Sequence, residues 1–194
     1  MSEFELYFEL GRAHILDIKG YDHILFVVAL CAIYQISEWK KVLILVTAFT
    51  IGHSLTLALA VLDIINVNKP LIEFLIPVTI FVTAAFNIIR GDRGYNQQSI
   101  HLNYIFAMFF GLIHGMGFSS YLKSMLGRNS DLITQLFSFN LGLEIGQIII
   151  VIAVLIIGFI TTSIIRRSRR DWNLVVSSAV AGVAIILMVE TKYW

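Results

Sequence analysis

The chain has 194 residues, of which 58% are hydrophobic and 14% charged, and its net charge is +1. Soluble domains carry about a quarter charged residues, so this composition excludes an ordinary soluble globular fold. The near-neutral charge gives no footprint for nucleic acid. The single cysteine, Cys31, has no partner for an intrachain disulfide and reads as a small packing or lipid-facing residue.

In chain order, "MSEFELYFELGRAH" is acidic and amphipathic, without the basic start and small-residue cleavage site of a signal peptide. Long apolar blocks follow. A helix needs about 20 apolar residues to cross a ~30 Å hydrocarbon core, and residues 21–37, 42–62, 71–90, 102–122, 136–165 and 173–191 qualify. Their separators carry charged or turn-forming residues, as in "SEWKK" and "RRSRRDWN". The expected architecture is all-α: a polytopic membrane protein with six transmembrane helices in one bundle. A short amphipathic N-terminal segment precedes them, and the whole of 1–194 forms a single integral-membrane domain. Neither a Walker loop nor a GxGxxG fingerprint is present, which argues against a nucleotide-driven pump.

Basic residues in short loops set orientation. Lys40, Lys41, Arg90, Arg93, Arg166, Arg167, Arg169 and Arg170 fall on one side. Arg12, Lys19, Lys69, Lys123, Arg128 and Lys192 fall on the other, diluted by acidic residues. The "RRSRR" cluster predicts that the first side is cytoplasmic and both termini are outside. An all-helical bundle fits an inner, cytoplasmic membrane.

Charged side chains inside a membrane cost about 2.5–3.5 kcal/mol on insertion scales and usually mark a pathway or site. Asp22 and His23 open the first span. Thr50, His53, Ser54 and Thr56 lie in the second, Glu73, Pro77 and Asn87 in the third, and His114 in the fourth. Asn140, Glu144 and Gln147 occupy one face of the fifth, spaced by four and three. At ~1.5 Å per residue, His53 and His114 stand ~16–18 Å from the cytoplasmic ends of their helices, near the midplane. The Gly142/Gly146 and Gly111/Gly115 pairs predict places where a second helix approaches closely. The bland readings of these residues are packing histidines, an N-cap at Asp22, backbone-bonded hydroxyls at Thr50, Ser54 and Thr56, a cap at Asn87 and a solvated loop position for His101.

Imidazoles grouped with carboxylates, and no thiolate, suit a borderline divalent ion such as nickel, cobalt or zinc. The segments "HILDIKGYDHILF", "FTIGHSLTLALA", "GLIHGMGF" and "FNLGLEIGQ" resemble, in the same order, motifs of the HupE/UreJ family of bacterial membrane proteins. The resemblance implies a permease for nickel or cobalt that works without nucleotide hydrolysis. It carries metal-binding roles onto His14, Asp22, His23, His53, His114 and Glu144. Here "DIK" lengthens the turn between His14 and Asp22 beyond the family's common spacing. Thr50, Ser54, Glu73, Asn140 and Gln147 are expected to orient those ligands through hydrogen bonds. The partners are then the metal ion, as substrate, and the lipid bilayer. Two further readings stay open: a zinc-dependent intramembrane hydrolase with Glu144 as general base, and a structural membrane subunit.

Overall fold

The computed structural model describes residues 2–66, 68–90, 97–125 and 131–194. Arg93 and Arg128, counted above for orientation, lie outside the described residues. The described chain is all-helical: α1 (Glu3–Leu16), α2 (Asp22–Cys31), α3 (Trp39–Val61), α4 (Lys69–Arg90), α5 (Gln97–Met125), α6 (Leu132–Phe159) and α7 (Arg169–Glu190). A 3₁₀ turn, Ile36–Glu38, leads into α3, and a π turn, Ile160–Ile164, extends α6. His101, expected in a loop, falls within α5 and is exposed.

Among the described residues five helices are long and apolar enough to cross a membrane, the last four from Lys69, Asn103, Leu132 and Arg169 onward. The predicted first span differs. Within 21–37 only a ten-residue helix forms, ~15 Å at 1.5 Å per residue and about half the hydrocarbon thickness. The reason is local. Gln35 and Glu38 cap each other reciprocally, the Gln35 N–H donating to Glu38 Oε2 at 3.3 Å, so a new helix starts there.

Glycine decides which helices touch. A Cβ on Gly111 or Gly115 would overlap the Phe49 or His53 carbonyl, and one on Gly52 would overlap that of Met108. These contacts lay α3 and α5 side by side and parallel. Gly11 and Gly142 do the same for α1 and α6, against the Phe139 and Phe8 carbonyls. Both small-residue pairs read from the sequence therefore mark close crossings. The α1–α6 pair is fastened by a bond from Gln135 to Glu3, and the Tyr7 hydroxyl ties α1 to the end of α5 by donating to Met125 O at 3.1 Å. Asp131 caps α6; hydrogen bonds from the Thr134 hydroxyl and backbone N–H hold its carboxyl below the usual range.

Buried amides stitch α2 into the bundle. Asn87 donates to Ala29 O at 2.7 Å, Asn173 to Asn87 O at 2.9 Å, and Ser177 to Asn173 Oδ1 at 2.9 Å. Asn87 is thus a link between helices rather than a cap, and it anchors the far end of α2 to α4 and α7. Cys31 is buried in this region. Lys123 pairs with Asp63 where α3 and α5 end, and Trp194 meets Phe74 near the start of α4. Both ends of the chain therefore lie at the same end of the bundle.

Candidate metal centre

The break between α1 and α2 places the site. Asp17 Oδ1 accepts from the Lys19 N–H at 2.9 Å, a side-chain turn that ends α1, and residues 17–21 are exposed. His14 sits on the last turn of α1 and His23 at the start of α2. Their rings meet with centroids 4.5 Å apart. The His53 ring, from α3, lies 6.2 Å from that of His14 and 6.1 Å from that of His23. Each of the three offers a ring nitrogen within 4.8 Å of the other two.

His114, from α5, touches the back of this group, its ring 5.2 Å from that of His23. It is fixed by Thr79 of α4. The Thr79 hydroxyl donates to Ile76 O at 2.7 Å, so its oxygen accepts from His114 Nε2 at 3.0 Å. That assigns the proton to Nε2 and leaves Nδ1 with a free lone pair.

Asp22 acts on His23. Its Oδ1 lies 3.0 Å from His23 Nδ1 and accepts the His23 backbone N–H at 2.9 Å. The carboxylate thereby holds the Nδ1–H tautomer and leaves the buried Nε2 with a free lone pair, as the outer partner of a metal-binding histidine does. The group is short of partners. His14 Nε2, His23 Nε2, both nitrogens of His53 and His114 Nδ1 are buried with no protein hydrogen-bond partner. A buried polar atom left unpaired costs about 1–3 kcal/mol, and here such atoms converge.

Aromatic rings close the site on two sides. Phe118 lies 3.8 Å, ring to ring, from His14 and stacks on Phe139 at 5.2 Å. Phe26 and Phe49, both fully buried, stand 5.0 and 5.2 Å from His114. The rings shield these buried, unpartnered nitrogens from water.

Other residues expected from the sequence fall elsewhere. Glu144 accepts from the Thr47 hydroxyl at 2.7 Å, and Gln147 from that of Thr50 at 2.8 Å, forming a polar seam between α3 and α6. Thr50, one turn from His53, joins this seam to the histidines. Gln147 Nε2 and Asn140 Oδ1 are buried and lack protein partners. Ser54 donates to Thr50 O and Thr56 to Leu112 O, so both satisfy backbone. Glu73 is exposed at the start of α4 and pairs with Lys69 at 3.5 Å, apart from the histidines. The sequence reading missed Thr47 and Thr79. Thr47 carried a signal, since Thr47, Thr50 and His53 recur every third residue on one face; Thr79 carried none.

A bundle of membrane-length helices around a desolvated imidazole group is a multi-pass membrane protein with a candidate cation site. The family model described as HupE / UreJ protein matches residues 1–194. The chain belongs to the HupE/UreJ family, which is linked to nickel and cobalt transport. No curated protein and no solved structure gives a significant match.

Proposed function

We propose that the chain is a permease for a divalent transition metal, nickel or cobalt first, that works without nucleotide hydrolysis. One observation carries this reading: imidazole nitrogens from three separate helices converge without protein partners at a helix break. Nitrogen donors without thiolate favour borderline divalent ions. His14, His23 and His53 hold the ion, Asp22 orients His23 and offsets the charge, and His114 closes the back of the site. Glu144, Gln147 and Thr50 continue the polar path between α3 and α6, and a transported ion must bind weakly enough to leave.

The proposed topology keeps six traverses by counting α1 and α2 as one broken traverse. Both run in the direction of α6, and discontinuous helices of this kind build ion sites in transporters. Both termini then face outside and the arginine-rich turn faces the cytoplasm. The exposed break at residues 17–21 gives the ion its way in, with Asp22 half-buried behind it.

Uptake into proteoliposomes tests the proposal, offering nickel, cobalt, zinc, copper and manganese in turn. Flux should be selective for nickel or cobalt and should vanish in His53→Ala while the variant still purifies as folded protein. Undiminished flux in that variant would falsify the assignment.

A further inference from the structure

At the end of the bundle opposite the chain termini, a cavity of about 840 Å³ opens between the α2–α3 connection, α3, α6 and α7. Its walls are of two kinds. Lys41, Arg167, Arg169 and Ser163 line it with charge and hydroxyl, whereas Leu155 and Trp172 line it with apolar surface. Among the described residues the acid on its wall is Glu38, already paired with Lys41 at 2.7 Å. Among the described residues, neither Arg167 nor Arg169 has an ion-pair partner, and both are exposed. α7 begins on this wall. Ser168 caps it, its Oγ accepting from the Asp171 N–H at 3.0 Å, and the positive end of the helix dipole adds to the basic side chains.

We infer that this cavity binds the phosphate headgroup of an anionic phospholipid, with Arg167 and Arg169 on the phosphate and the Leu155–Trp172 wall against the first part of an acyl chain. Charge selects the ligand class, because three cations against one carboxylate attract an anion and repel a free divalent metal. That separates this cavity from the proposed metal path. Arginine suits phosphate through paired N–H donors. The apolar wall selects the source. A free phosphate ion gains nothing from Leu155 and Trp172, whereas a lipid fills both halves, and the volume lies in the range of pockets for sizeable ligands, about 300–1,000 Å³. Basic pockets between membrane helices at the cytoplasmic face are suited to phosphate-bearing headgroups. The cavity lies at the arginine-rich end, where a cytoplasmic leaflet would present them.

The test uses the full-length protein in detergent, with native mass spectrometry and thermal melting as readouts. The probes are phosphatidylglycerol, phosphatidylcholine and inorganic phosphate. Phosphatidylglycerol should be retained and should raise the melting temperature, with phosphatidylcholine retained about tenfold less. The double variant Arg167→Gln/Arg169→Gln should lose about tenfold or more in phosphatidylglycerol affinity, as expected for charge-assisted bonds. Arg170→Gln removes the same charge from a neighbour that does not line the cavity, and should behave as the parent. Equal retention of the two lipids, or equal loss in Arg170→Gln, would overturn the site. A melting shift from inorganic phosphate matching that from phosphatidylglycerol would overturn the lipid assignment.

Discussion

α3 and α5 bring His53 and His114 to the site on two unbroken helices pressed together through Gly52, Gly111 and Gly115. α1 and α2 bring His14 and His23 there on two short helices whose only covalent link is the exposed turn at 17–21. In the first pair, backbone lies against backbone, and the imidazoles have no freedom that the helices lack. In the second, α1 is held by α6 and α2 by α4 and α7, so the two histidines answer to different neighbours and are joined only by a turn. In the permease proposed above, the fixed half would set the geometry at the ion, and the half built from two separately held helices would be the hinged one that relaxes it. The difference also teaches that a glycine's neighbours decide its role: Gly115 is required for close approach, while Gly20 sits in open contact within the turn.

The largest expected effect follows from breaking the fixed half. In Gly115→Ala, the new Cβ would overlap the His53 carbonyl and meet the Thr56 hydroxyl. Backbone cannot step aside, so α3 and α5 must part along the length that carries His53 and His114. Overpacking of this kind costs about 3 kcal/mol. Loss of the monodisperse peak on extraction, or a melting temperature several degrees lower, would be seen; a variant as stable as the parent would show that the two helices are not locked.

A smaller effect comes from loosening the hinged half while leaving the fold in place. Asp22→Asn keeps an acceptor near His23 Nδ1 but removes the charge that holds its tautomer. Losing such an outer partner lowers metal affinity about 10–100-fold, or roughly 1.4–2.8 kcal/mol. Titration of the purified variant with nickel or cobalt measures this directly. Glu144→Gln provides the contrast. Its carboxylate bonds Thr47 on the α3–α6 seam, outside the group of three histidines, so affinity should change by less than about twofold. A loss equal to that of Asp22→Asn would return Glu144 to the ion itself.

Those two residues mark the limit of what the sequence makes legible. The helices from α3 to α7 are readable because hydrocarbon tolerates little else than apolar runs of fixed length, and the observed bounds differ by a few residues only. The end of α2 is not, because hydropathy averages over "FVVALCAIYQISE" and is blind to the Gln35–Glu38 cap. The histidines are legible as unusual residues at similar depths. Their meeting is not, since His14 and His23 touch only through the geometry of the turn between them. Glu144 and Asp22 look alike in the sequence, each a carboxylate beside an apolar run, yet one faces a threonine and the other an imidazole. Glu73 follows Lys69 by one helical turn, so its surface pairing was readable from spacing.

The smallest expected effect tests whether the turn is a hinge or a strained lock. Gly20 does not adopt the left-handed conformation that demands glycine, and a Cβ there would meet only Asp17 Oδ2 at 3.6 Å and Asp22 Oδ1 at 4.0 Å, ordinary contact distances. Gly20→Ala should therefore fold. It also removes freedom from the unfolded chain, which favours the native state by about 0.4–1 kcal/mol where the backbone permits it. The melting temperature should hold or rise slightly, and nickel affinity should stay within about twofold, because neither His14 nor His23 is displaced. The identical substitution, glycine to alanine, then has opposite consequences at Gly115 and Gly20, set only by what lies beside each. A Gly20→Ala protein that unfolds as readily as Gly115→Ala would mean that the turn is as tightly packed as the helix crossing, and the site would have two fixed halves with no hinge between them.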